Sequence, residues 1–351
     1  MKAWRDEAER GASPGRPTNE ALEELRHRGI DLDPEGDRAG DHDHAGEAPD
    51  TIHAHPHQRS APDEPPIIGI VGAGAVGTAL GAALHRAEWP VAAVASRDAG
   101  RRERFRSLVP GARAFAEAVA LLDEVELIVL AVPDDAIASL AGELRMYSGQ
   151  AMVHTSGALG AEVLEPARAA ATQIGAFHPL VAFADTERAI AALRGATVAV
   201  EGDDELVVLL ARMAEAIGAT AVRLAPGSKA AYHAAAVLAA GGFVALLDAI
   251  AELGAAAGLD EAGAIAIYAN LVEQSLGNAR ALGTRAALPG PMVRGDTGTV
   301  SRHLEALARL APRVLPIYSA LAEREIELAE ARGAIDRDAA EALRRLLAMR
   351  V

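Results

Sequence analysis

The chain has 351 residues, half of them apolar but only 3% aromatic, with no cysteine and a formal net charge of −15. Its length favours two domains of about 100–200 residues each, with cores built from alanine, leucine and valine. The missing cysteine excludes disulfides, thiolate zinc sites, iron–sulfur clusters and cysteine nucleophiles, and the acidic balance lacks the basic surplus that phosphate-backbone binding uses, so no nucleic-acid partner is expected.

Residues 1–65 hold 8 basic and 16 acidic side chains and six of the 11 histidines. They read as a disordered acidic, His-rich extension. A metal-scavenging tract is the sharper alternative, but no spacing in it resembles a rigid site, and no metal is expected. The N-terminal twenty residues lack the apolar stretch of a signal peptide. The longest uncharged apolar run, 234–247, has 14 residues against about 20 for a membrane span. A buried helix and a cytoplasmic protein are the expectations.

The folded part opens at 66. Strands are predicted at Ile67–Val71, Val91–Ala95, Ala112–Phe115, Leu127–Val132, Ala151–His154, Gly175–His178, Ala196–Val200 and Ala221–Leu224. Helical stretches lie between several of them. That alternation predicts an α/β fold with a doubly wound, Rossmann-type parallel sheet. From 227 onward only helices are predicted, over 227–256, 260–281, 297–332 and 336–350. The expected domains are therefore 66–226 and an all-α domain, 227–351.

Directly after the first strand, Gly72, Gly74 and Gly77 form G-x-G-x-x-G, with Ala75 and Val76 between them. The three glycines suit a tight turn, backbone approach to a pyrophosphate, and close helix–strand packing. The helix start presents free N–H groups to phosphate. The second strand ends in Ser96 and Arg97, with Arg101 and Arg102 after them, where NAD sites place an acid. Serine and arginine accept a 2′-phosphate, so NADP(H) is the expected cofactor. Asp98 is the counter-signal, since it would bond a ribose hydroxyl if it turned inward. Val132, Pro133 and Asp134 close the fourth strand at the ligand-binding edge, where Pro133 either rigidifies a cofactor turn or simply ends the strand.

Ser156 and His178 follow the next two strands at the same edge. Each is a substrate-contact candidate with a structural alternative, a helix cap for Ser156 and a hydrogen-bonded core residue for His178. Lys229 stands out because only Lys2 and Lys229 are lysines among 34 basic residues. Arginine keeps its proton throughout the accessible pH range, whereas a buried lysine exchanges one. His233 lies one turn on, on the same helix face. In "LPGPMVRGDTGTVSRHL", Arg294, Asp296 and Thr299 flank a helix start and suit capture of an anionic substrate; a structural Arg294–Asp296 pair is the alternative.

"GIVGAGAVGTAL", "VLAVPDDAI", "VHTSGALG", "AFHPL", "KAAYHAAAVLA" and "LPGPMVRGDTGTVSRHL" occur in this order over about 66–330. So arranged, the chain resembles oxidoreductases that join a Rossmann-like NADP-binding domain to a helical C-terminal domain of poorly assigned function. That group is related to the ketopantoate reductase, pyrroline-5-carboxylate reductase and 6-phosphogluconate dehydrogenase superfamily. The resemblance implies that Lys229 is the general acid for a carbonyl under reduction; His233 stands where an asparagine is expected. It also implies a small 2-oxoacid as substrate, with ketopantoate the concrete candidate. On this reading Asp296 orients Lys229, while Arg294, Ser156 or His233 holds the carboxylate. The alternatives are imine reduction, 3-hydroxy acid oxidation, a deazaflavin-linked reductase and a non-catalytic NADP(H) sensor. The Ala/Gly-rich helix over 230–258 suits a homodimer.

Overall fold

The computed structural model describes residues 64–170 and 172–349. The acidic extension, apart from its last two residues, lies outside them. Eight short strands make one sheet: β1 (Ile68–Val71), β2 (Val91–Ala95), β3 (Arg113–Phe115), β4 (Leu127–Leu130), β5 (Ala151–His154), β6 (Gln173–Pro179), β7 (Thr197–Gly202) and β8 (Thr220–Arg223). Their spatial order is β3-β2-β1-β4-β5-β6-β7-β8. Helices α1 (Ala75–Arg86), α2 (Ala99–Leu108), α3 (Asp134–Glu143), α4 (Thr186–Leu193) and α5 (Asp204–Ala216) lie between strands. The order reverses at β1, which pairs with β2 on one side and β4 on the other. A doubly wound sheet binds ligands at such a reversal.

Every residue of β1, β4 and β5 is buried, as continuous apolar strands covered on both faces must be. One face packs Ile68, Ile70, Val129 and Phe177 under α1 and α5. The other packs Ile128, Leu130 and Met152 under α3. One pairing departs from the parallel expectation: β6 and β7 are antiparallel, setting Ala176 opposite Glu201.

Beyond β8 the chain is helical. Helix α6 (Lys229–Ala256) runs 28 residues without a break, with a π-turn over Leu238–Gly242. Then come α7 (Glu261–Leu282), the short α8 (Thr284–Ala287), α9 (Thr297–Leu310), α10 (Leu315–Ala331) and α11 (Arg337–Ala348). Two expectations need correction. The single helix over 297–332 is two, because Pro312 drives Ala311 out of the helical region (φ −147°, ψ 63°). The 14-residue apolar run is not a buried helix. It belongs to a helix long and apolar enough to cross a membrane, and only 11% of its most apolar window is buried. Leu238 and Val244 are 72% and 65% exposed, and Ile267 and Leu271 of the adjacent α7 are exposed beside them.

Candidate active site

The first half of the site is made of backbone. Gly72 takes φ +105°, and a Cβ there would lie 2.2 Å from the Ala131 carbonyl oxygen, so only glycine fits. At Gly77 a Cβ would meet the Gly72 carbonyl at 2.0 Å, whereas at Gly74 it would meet nothing within 4 Å. The turn is thus tight on its protein side and open on the other. Gly74 is the N-cap of α1 and supplies no side-chain cap. The first N–H groups of α1, at Ala75, Val76 and Gly77, face that open space and favour negative charge. Val132 packs beside Gly72, and Pro133 caps α3 with Asp134 as its first residue.

At the end of β2, Asp98 is not turned inward. Its carboxylate caps α2 by accepting from the Arg101 N–H at 3.0 Å. That bond, with the Arg101 and Arg102 charges, holds the carboxyl below its usual range. The Arg102 guanidinium is committed to the Ser96 and Arg97 carbonyls. Arg97 is exposed, and Arg101 keeps only a loose contact to Asp98, 3.6 Å. Arg97 and Arg101 thus follow Ser96 at the strand end, and the nearby Asp98 carboxylate is spent as a helix cap.

The second half is made of side chains. His154 ends β5 fully buried. Its Nδ1 accepts from the Ser156 N–H at 3.2 Å, so Nε2 carries the proton and donates to the Gly160 carbonyl at 3.0 Å. Burial, with the Lys229 charge, lowers its pKa to about 4. The neutral ring shapes the 155–160 loop. Ser156 is also spent on structure: its hydroxyl accepts from the Ala158 and Leu159 N–H groups, each at 3.1 Å, and donates to Asp134 at 2.9 Å. These bonds fit the structural alternative for Ser156, which ties the β4 edge to the β5 edge.

Helix α6 starts against this loop. Lys229 is its first residue, 3% exposed, and Nζ has no hydrogen-bond partner. Burial lowers its pKa to about 8, while the charges of Glu201, Glu162 and Asp134 act to raise it. Tyr232 and His233, three and four residues on, share its face of the helix. His178 of β6 meets both edge-on, with ring centroids 6.1 Å and 5.4 Å away. Gly157 lies under the histidines; a Cβ there would be 2.1 Å from His233 Nδ1 and 2.7 Å from His178 Nε2. Burial, then the Lys229 and His233 charges, brings His178 to about 4, so it is neutral near pH 7. Burial also raises Tyr232. His178 Nδ1, Tyr232 Oη and His233 Nδ1 are, like Lys229 Nζ, buried without a partner. Buried polar atoms of this kind are rare in structural cores.

Arg294, Asp296 and Thr299 flank the start of α9, as expected, and the structural alternative accounts for the contacts they make. The Asp296 carboxylate caps α9 by accepting from the Thr299 N–H at 2.9 Å, and it lies 3.9 Å from Arg294. The Thr299 N–H and hydroxyl, with Arg294 and Arg302, keep it below its usual range. It does not orient Lys229, whose charged neighbours are Glu201, Glu162 and Asp134. Thr299 accepts from Arg302. The structural pairing of Arg294 with Asp296 is what the fold contains. The sequence reading missed Glu201 and Glu162. Glu201 reaches the cluster only because β7 runs antiparallel to β6.

Two family descriptions match the chain, and the second takes in the last two strands of the sheet as well as most of the helical region. Residues 55–179 match the family described as a Rossmann-like domain, and residues 196–325 match a domain of unknown function, DUF2520. Among solved structures, a candidate NADP oxidoreductase of Bacteroides fragilis superposes with a TM-score of 0.64 at 22% identity, covering 75% of this chain and 98% of that one. The reductive aminase of Aspergillus terreus, in complex with NADPH and ethyl levulinate, gives 0.60 at 16% identity over 80% and 98%. The 1-pyrroline-5-carboxylate reductase of Streptococcus pyogenes gives 0.53 at 17% identity over 76% and 98%. No curated protein sequence matches the chain. At these identities the likeness establishes the fold: a Rossmann-type sheet followed by a helical region.

Proposed function

We propose that the protein is an NADP(H)-dependent oxidoreductase that reduces a C=O or C=N bond, with Lys229 as the proton donor. The observation that carries this reading is the buried, unpartnered Lys229 ammonium, with a pKa of about 8, on the carboxyl-edge side of the sheet. A general acid works best when its pKa lies near the operating pH. NADP(H) fits the other half: the open Gly74 turn and the α1 N-terminus suit the pyrophosphate, and Ser96, Arg97 and Arg101 suit a 2′-phosphate. When bound there, the reduced nicotinamide supplies hydride. Lys229 Nζ gives its proton to the substrate oxygen or nitrogen as charge develops. Tyr232 and His178 offer neutral hydrogen-bonding groups beside it. The named activities of the similar structures, NADP oxidoreductase, reductive aminase and 1-pyrroline-5-carboxylate reductase, support the class.

For the substrate there are two readings. The sequence resemblance favours a small 2-oxoacid, with ketopantoate as the concrete candidate. The site favours the second, an imine or a carbonyl without a carboxylate. The charges of Glu201, Glu162 and Asp134 all act on the one ammonium, His178 is neutral near pH 7, and Arg294 lies against Asp296. NADPH oxidation with ketopantoate, its methyl ester and 1-pyrroline compounds separates the readings. Turnover of the acid alone supports the first; turnover of ester or imine supports the second. No turnover on any of them, with NADPH bound, moves weight to the sensor reading.

We further infer that a second copy of the chain covers the exposed faces of α6 and α7. The small residues of α6, including Gly241 and Gly242 in the π-turn, permit close helix approach. Asn270, Glu273, Gln274 and Asn278 make α7 too polar for a lipid-facing partner helix. Sedimentation equilibrium of the full chain should give twice the chain mass, and Leu238→Glu should give a monomer. A wild-type monomer would contradict the inference.

A further inference from the structure

Helix α10 carries four glutamates. Glu323 and Glu330 each pair with Arg344 at 2.7 Å, and Glu327 pairs with Arg324. The fourth, Glu325, has no ion pair or hydrogen bond among the described residues, and burial raises its carboxyl above the usual range. It faces a cleft of about 250 Å³ between the turn after α8 and helix α10. Pro289, Pro291, Met292 and Leu321 form apolar walls, and Tyr318 lies beside the carboxyl. On the α9 side, His303 Nδ1 and the Tyr318 hydroxyl are hydrogen-bonded at 2.9 Å, with the rings edge to face. That contact fixes the phenol at the mouth of the cleft. Burial and the Glu325 charge push the Tyr318 proton up to about 12.

Glu325 is half-buried, and a carboxyl with reduced access to water and no partner is less stable as an anion than an exposed one. Every other glutamate on this helix has an arginine. An anionic Glu325 facing the cleft is complementary to a cation from outside the site. The cleft is smaller than the ~300–1,000 Å³ of pockets for drug-sized ligands, so its occupant is small. Apolar walls suit a hydrocarbon body, and Tyr318, which also lines the cleft, is an aromatic ring of the kind that attracts cations.

We propose that this cleft binds a small organic ammonium ion, its charged head on Glu325 and Tyr318 and its hydrocarbon body against Pro289, Pro291 and Leu321. This goes beyond the proposed reductase activity and does not depend on it. None of these residues is among the charged groups acting on Lys229.

The test is calorimetric titration of the full-length protein with cyclohexylammonium chloride, cyclohexanol and sodium cyclohexanecarboxylate. The ammonium should bind saturably with a Kd of about 1 mM or tighter, and the alcohol and carboxylate at least ~10-fold more weakly. Glu325→Gln, near-isosteric, should lose ~10-fold or more with unchanged melting temperature. Tyr318→Phe should weaken binding less, and Lys229→Met should bind as wild type. Equal binding of the alcohol would overturn the proposal, as would undiminished binding in Glu325→Gln. So would loss in Lys229→Met with retention in Glu325→Gln, or no saturable ammonium binding at all.

Discussion

The two halves of the candidate active site are built by opposite means. At the glycine turn the protein offers backbone: Gly72 and Gly77 are pressed against carbonyl oxygens, and Gly74 opens on free space. At the start of α6 it offers side chains, and four of them, Lys229, Tyr232, His233 and His178, hold buried polar atoms without partners. The first half is rigid because a Cβ has nowhere to go. The second is held by packing, around groups whose hydrogen-bonding capacity is left unspent. A shape that binds can be made from backbone alone. A proton that must move has to sit on a side chain the fold does not satisfy.

The sharpest way to break this contrast is Gly157→Ala, which brings the backbone restriction of the first half into the second. The added methyl would lie 2.1 Å from His233 Nδ1 and 2.7 Å from His178 Nε2, so the rings must separate. Overpacking of this kind costs about 1–3 kcal/mol. We expect turnover to fall by ~100-fold or more while NADPH affinity, measured by fluorescence titration, stays within a factor of about two. Equal loss of both would show that the halves are not separable.

A smaller effect is expected at the nucleotide end. The double change Arg97→Ala and Arg101→Ala removes two charged donors from the Ser96 turn, worth about 1.5–3 kcal/mol for a charge-assisted bond. NADPH should bind ~10-fold or more weakly, with NADH unchanged. Parallel weakening of both nucleotides would show that the arginines do not read a 2′-phosphate.

The smallest effect is on acid stability. His154 and His178 have folded pKa values near 4, against about 6.5 in an unfolded chain. Between these values the unfolded state binds more protons, so stability falls as pH drops from about 6.5 to 4. His178→Asn removes one of the two, and its melting temperature should depend less steeply on pH in that window. An equal slope would place the histidine charge outside the buried cluster.

Much of this was legible in the sequence, for identifiable reasons. The central strands β1, β4 and β5 are short apolar runs bounded by turns, and burial on both faces leaves them no other pattern. The glycine spacing reads from one strand–turn–helix unit, although the carbonyl that crowds Gly72 belongs to Ala131 beyond β4. Lys229 and His233 share a face by helix geometry alone. What was not legible depends on contacts distant in sequence. Glu201 comes to Lys229 through the antiparallel turn of β7, which β-propensity does not report. Ser156 stands at the expected edge, but its hydroxyl is saturated by Ala158, Leu159 and Asp134, a fact visible only in three dimensions. Asp296 sits beside a charged motif and a helix start; the cap took its carboxylate. The exposure of Leu238 and Val244 could not be read from α6 either, because an apolar helix has the same sequence whether its own chain or another surface covers it.

The measurement that tests the central claim most directly is the pH dependence of NADPH oxidation at saturating substrate, in wild type and Lys229→Met. If Lys229 gives up the proton, the wild-type rate falls as pH rises through about 8. The variant should then be slower by ~100- to 10,000-fold, show no break near that pH, and still bind NADPH. A variant that keeps the wild-type rate, or a wild-type profile flat through that range, would contradict the account.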